Sequence, residues 1–220
     1  MPPRPPRRPR FRIPAAAALV ALALATAGCS TVSSLNSAAR NLDAFELNPL
    51  PPQSGARSGA VLLFVAEPTA PGAIGSDRIV LKPNALQVTL LGDGRWVEAA
   101  PTHIRNLIAR SFANTGRFAF VTTATVGPLP DFTVLTDVAS FEAELQPPGR
   151  APVRVVVSLT LSVVRDADSR LLASRTFTRT AEALDTDALS IVSAFEAANG
   201  ALLREAIPWA TATMTGAPGV

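Results

Sequence analysis

Residues 153–163 carry the clearest alternation in the chain. Val153, Val155, Val157, Leu159, Leu161 and Val163 fall on one side, and Arg154, Ser158, Thr160 and Ser162 on the other. A period of two sustained over that length is a β-strand with one buried face. The stretch 131–145 repeats the pattern less cleanly. Ala139, Phe141, Ala143 and Leu145 share a phase, with Ser140, Glu142 and Glu144 between them, whereas Phe132 and Val134 lie in the opposite phase. A slip of phase inside a strand predicts a bulge or bend, placed here near Leu135. Residues 166–169 then turn and 171–181 return, so the three stretches predict an antiparallel meander with one buried face.

Shorter runs precede the meander. Residues 42–47 read as a short strand, ended by Asn48-Pro49-Leu50-Pro51-Pro52 because proline cannot donate to a ladder. Residues 61–65 form a compact apolar strand expected to be buried on both faces, and 78–81 with 86–90 form a hairpin turning at Pro83-Asn84. Gly92-Asp93-Gly94 reads as a plain turn, since it lacks both the third glycine and the lysine of a phosphate-binding loop. From Pro101 the period becomes helical. Ile104, Leu107, Ile108, Ser111 and Phe112 form a stripe, Arg105 and Arg110 lie off it, and Gly116 supplies the stop. Residues 118–125 read as another strand.

A closing helix begins after Asp185, Thr186 and Asp187, which offer capping oxygens, and Ala188, Ile191, Val192, Phe195, Leu202, Ala206 and Trp209 mark its apolar face. Pro208 is expected to end or kink it, and residues 211–220 to fray. Together these elements predict an α+β fold: a single domain over 42–210 whose mostly antiparallel or mixed sheet carries two helices packed on one face.

The amino terminus follows a different logic. Arg4, Arg7, Arg8, Arg10 and Arg12 precede the apolar run 13–25, which leads into Thr26-Ala27-Gly28-Cys29-Ser30. A basic region, an apolar region of this length and small residues before a cut site predict a secretory signal over 1–28. Cys29 is the only cysteine in the chain and stands where a lipoprotein signal peptidase cuts, so the motif resembles a bacterial lipobox, with Thr26 in the place where Leu is usual. The predicted modification is lipidation of Cys29. An uncleaved anchor fits less well, because a membrane-spanning helix needs about 20 apolar residues. Two or three acyl chains, palmitate among them, at about 0.8 kcal/mol per buried CH₂ hold a protein on its membrane.

Residues 29–41, rich in Ser, Thr, Ala and Asn, read as a flexible tether. Ser30, rather than Asp, after the cysteine points to the outer membrane and a periplasm-facing domain. Removing the leader also changes the charge. The whole chain has 20 Lys+Arg against 17 Asp+Glu, but five of those arginines and no acid precede Cys29, leaving 15 against 17 and a net of −2. The basic character lies in the leader and implies no nucleic-acid partner.

Candidate chemistry is sparse. His103 is the sole histidine, at the start of a helix where a capping or solvated role is expected, and no nucleophile-elbow sequence accompanies it. One histidine and one acylated cysteine do not make a zinc site. The pairs Glu142/Glu144, Asp166/Asp168 and Asp185/Asp187 read as a solvated strand face, a turn and a helix start. The residues therefore predict a non-enzyme with no cofactor, metal or catalytic group.

The order of Phe45-Glu46-Leu47-Asn48-Pro49, Ser76-Asp77-Arg78-Ile79-Val80, Gly94-Arg95-Trp96-Val97, the stretch Leu107 to Phe118, and Val192-Ser193-Ala194-Phe195-Glu196 through Trp209, behind a lipobox, resembles the ABC-type transport auxiliary lipoprotein family over nearly the whole mature chain. The resemblance implies an outer-membrane accessory subunit of a mammalian-cell-entry (MCE) type lipid transporter. It would dock the MCE conduit protein of a system that also has permease and ATPase subunits, with a homo-oligomer left open. The alternative is a cell-envelope assembly lipoprotein with no transport role.

Overall fold

The computed structural model describes residues 42–54 and 60–216; the expected leader, Cys29 and the tether lie outside the described residues. Eight strands form one mixed sheet: β1 (Asp43–Phe45), β2 (Leu62–Val65), β3 (Arg78–Asn84), β4 (Gln87–Trp96), β5 (Phe120–Thr122), β6 (Phe132–Leu145), β7 (Val153–Arg165) and β8 (Arg170–Ala183). Two helices, α1 (Ala100–Asn114) and α2 (Ala188–Thr215), pack on one face of it, as the α+β expectation requires.

The long strand β6 organises the sheet. Along one edge it pairs antiparallel with β7 from end to end, and β7 in turn with β8. Its other edge is shared by two parallel partners: β2 beside Phe132–Val134 and β3 beside Glu142–Glu144. Between them the chain follows β6 a little further, through Ala66 N–H to Val134 O (3.0 Å), Thr69 N–H to Thr136 O (3.0 Å) and Val138 N–H to Thr69 O (2.8 Å). It then leaves and rejoins as β3. Strand β5 flanks β2, while β4 and then β1 flank β3.

The meander matches its sequence pattern. All six apolar alternates of β7 are fully buried, while the opposite face carries cross-strand hydroxyl pairs: Ser158 with Thr178 (2.8 Å), Thr160 with Thr176 (2.7 Å) and Ser162 with Ser174 (2.8 Å). Such pairs satisfy each other and keep the middle of that face polar, while Arg154 bonds Glu144 at its end. The phase slip in β6 is real but lies four residues later than expected. Register is lost between Val138 and Ser140, so Ala139 is the extra, solvent-facing residue, and Leu135 stays in phase on the polar face.

Other expectations are corrected. Gly92-Asp93-Gly94 is not a turn but part of β4, where Gly94 pairs with Asp43; a Cβ there would sit 3.0 Å from Phe45 Cε2 and 3.3 Å from Ala188 Cβ. Glycine is needed for close approach, which local pattern cannot reveal. Pro83-Asn84 ends β3, and the hairpin turns at Ala85-Leu86; Lys82 is the last residue of β3 paired with β6, so the missing proline N–H is not required. Strand β2 is fully buried on one face only, through Leu63 and Val65, and β5 is shorter than 118–125.

Pro208 neither ends α2 nor starts a frayed tail. The helix continues to Thr215 because Ala210, Thr211 and Met214 are buried, and Thr211 donates its hydroxyl to Ile207 O at 2.8 Å. Asp187 is the N-cap by position, but its side chain makes no capping bond; the Asp185 carboxylate accepts from Asp187 N–H instead. An aromatic cluster closes the core, with Trp96 edge-on to Phe195 (5.2 Å) and both against Phe141.

Candidate anchor and docking site

The predicted lipidation residue, Cys29, lies outside the described residues. What the structure shows is how the chain that follows it is fastened. After β1, residues 46–53 run as an extended strap over α1. Leu47 and Leu50 bury their side chains, and prolines at 49, 51 and 52 keep the strap from pairing as a strand. Its backbone is satisfied by side chains instead. Leu47 N–H donates to His103 Nε2 (3.0 Å), Leu50 N–H to Ser111 Oγ (3.0 Å), and Asn114 Nδ2 donates to Leu50 O (2.7 Å). Gln53 N–H donates to Asn114 O (2.9 Å), and Glu196 of α2 accepts from Asn48 N–H (2.9 Å) and Asn48 Nδ2 (3.3 Å).

His103 is thus neither a cap nor solvated. Only 2 % of it is exposed, and its ring stacks on Trp96 with centroids 5.8 Å apart. Accepting through Nε2 requires a neutral ring with its proton on Nδ1, and Nδ1 lies 3.5 Å from Glu98 Oε1. Burial pushes the His103 pKa below its ordinary value, outweighing the upward pull of Glu98 and Glu46. Both ring nitrogens are engaged within the fold, so the residue serves structure where a general base needs a free acceptor.

The carboxylate pairs separate in the same way. Glu142 is buried and bonded to Lys82 Nζ (2.8 Å), and Glu144 accepts from Arg154 (2.5 Å). Asp166 accepts from the Thr133 hydroxyl (2.9 Å) and Asp168 from Arg165 (2.7 Å). A cleft of about 520 Å³ between Ala60-Val61, the 129–132 segment and Arg165 to Ala167 is walled mainly by apolar groups, and its two aspartates are already bonded, Asp131 to Leu62 N–H and Asp166 to the Thr133 hydroxyl. Among the described residues no three His, Cys, Asp or Glu side chains gather where a metal could be held, and no helix is long and apolar enough to cross a membrane.

The strap and its receptors were missed in the sequence except for one signal. His103, Leu107 and Ser111 stand four residues apart on one helical line, and a polar residue on a buried stripe needs a buried partner.

A one-core α+β domain, its mixed sheet covered on one side by two helices and its amino terminus strapped across the first, defines a fold class rather than a reaction. The same fold occurs in the crystal structure of protein XCC0632 from Xanthomonas campestris (family-model DUF330), with TM-score 0.69 and 24% identity, over 80% of this chain and 97% of that one. It also occurs in an uncharacterized protein of TM-score 0.55 and 16% identity, over 77% and 98% of the two chains. No curated protein matches in sequence. The family model "ABC-type transport auxiliary lipoprotein component" matches residues 45–206, from β1 to the middle of α2. The chain belongs to that family, and it is thereby an auxiliary lipoprotein component of ABC-type transport.

Proposed function

We propose that the chain is cut before Cys29, acylated on that thiol, and held on the outer membrane facing the periplasm as a non-catalytic docking subunit of an MCE-type lipid transporter. The observation that carries this reading is the lipobox-like Thr26-Ala27-Gly28-Cys29-Ser30, placed 16 residues before a domain of a transport-auxiliary lipoprotein family. The engaged state of His103 and of the Glu142/Glu144 and Asp166/Asp168 pairs supports a binding role over a catalytic one. Acylation keeps the domain close to its partner, so even a weak interface is occupied.

The test is a crosslinked pull-down from membranes with the acylated protein as bait. An MCE-domain protein among the adducts supports docking, whereas an envelope assembly complex in its place favours the rival reading. Cys29→Ser is expected to abolish acyl labelling and to release the domain from the outer-membrane fraction. Retention of the cut variant in that fraction would remove lipid as the anchor.

A further inference from the structure

Strand β8 is the open border of the sheet. It pairs along its length with β7, and no loop or helix backbone group among the described residues bonds its other edge. Along a fourteen-residue strand the N–H and C=O groups that point away from β7, alternate residues of an antiparallel border, are a template for another strand unless something covers them.

The side chains on this border are unusual. By register, Arg175 lies opposite Leu161 and Arg179 opposite Val157, so both arginines stand on the core face, on either side of Phe177. They reach past the sheet to one carboxylate on α2. Arg175 Nη2 donates to Glu205 Oε1 at 2.5 Å, and Arg179 Nη2 donates to Glu205 Oε2. Phe177 lies under the Arg175 guanidinium, 4.7 Å from its centre, and this keeps the arginine folded back.

Two consequences follow. One carboxylate neutralises only one of the two guanidiniums, and the strand as a whole carries Arg170, Arg175 and Arg179 against Glu182. The border is therefore cationic on a domain whose mature charge is slightly negative. In addition, Glu205 holds both arginines toward the helix, and the one guanidinium bond to the strand's own backbone is Arg179 Nη1 to Thr178 O (2.7 Å), so the rest of the border is left unguarded.

We propose that the free edge of β8 receives an extended segment of a protein partner by strand addition, with acidic side chains of that segment taking the place of Glu205 on Arg175 and Arg179. The identity of the partner rests on the docking reading above; the edge and its charge do not. A second copy of this chain is the disfavoured occupant, because antiparallel pairing of two β8 strands would bring four arginines together. Backbone bonds would give such a contact its affinity, and the arginine pair its choice of sequence.

The experiment uses the full acylated chain in detergent micelles and a synthetic nine-residue peptide alternating Glu with Val and Thr, labelled for fluorescence anisotropy. A matched peptide with Lys in place of Glu is the control. The Glu peptide is expected to bind and to protect the β8 amides from hydrogen exchange, and the Lys peptide to fail. The Arg175→Gln/Arg179→Gln double variant should weaken binding at least tenfold. Glu205→Gln removes the carboxylate that neutralises the arginine pair and should tighten binding several-fold, a gain that loss of folding cannot imitate.

Equal affinity across wild type and both variants would overturn the proposal, as would protection away from β8. Concentration-dependent protection of β8 without peptide would assign the edge to a second copy and overturn it too. None of these readouts requires the transport partner, so failure of the pull-down and failure of the edge are separate results.

Discussion

Replacing His103 with Ala should unfasten the strap. The substitution leaves the buried Leu47 N–H without its acceptor, which costs about 1–3 kcal/mol. It also removes the ring stacked on Trp96, a pair worth about 1 kcal/mol, and leaves a cavity beside the aromatic cluster. A total near 3 kcal/mol corresponds to a fall in Tm of about 6–12 °C for a domain of this size. The assay is thermal and urea unfolding of the purified protein, with hydrogen exchange reporting on residues 46–53. Exchange there should rise more than in β7.

The same histidine sets a pH dependence. Its folded pKa lies below 6.5, so the unfolded chain binds more protons in the window beneath 6.5. The stability that its neutral form contributes is fully present above 6.5 and is lost as pH falls through the lower folded value. His103→Gln, which keeps an acceptor but does not titrate, should recover part of the stability and lose that pH slope. A His103→Ala protein that melts within a degree of wild type, with the strap equally protected, would refute the reasoning.

Other outcomes follow from the core. Leu159→Asp puts an unpaired charge at a fully buried position of β7 and should cost several kcal/mol, comparable to the whole stability of a domain; folded protein with an unchanged Tm would contradict the burial. Thr136 is buried, and its Oγ1 has no hydrogen-bond partner, so Thr136→Val should raise stability by about 1 kcal/mol in urea unfolding. A loss of stability would point to a partner for that hydroxyl.

Most of the sheet and both helices could be read from periodicity, because their cores are one-sided. The alternation of β7 and the stripe of α1 each describe a face that meets solvent on its other side. What escaped was set by partners distant in sequence. Gly94 takes its place from Phe45 and Ala188, and the last turn of α2 persists past Pro208 through burial of Met214. Leu135 misplaced the bulge because a single apolar side chain also occurs on a polar face. Of the candidate site, the lipobox-like motif at Cys29 is legible because such a motif is defined by linear sequence alone. The strap is not, since its bonds join Leu47 to His103 and Leu50 to Ser111 across more than fifty residues.

The shared edge of β6 also bears on the order in which this protein can fold. Leu63 must wait for Phe132, and Val80 for Glu142, before either strand has its parallel neighbour β6. Synthesis delivers the chain amino end first at about 5–20 residues per second, so roughly the first half emerges with β2 unpaired and β3 paired only with β4. Closing such long loops is slow, whereas β6, β7 and β8 are joined by short turns and can form as soon as they appear. The carboxy-terminal meander is then the template on which the earlier half assembles. Until it arrives, the earlier half lacks the strand that joins its two parallel partners into one sheet.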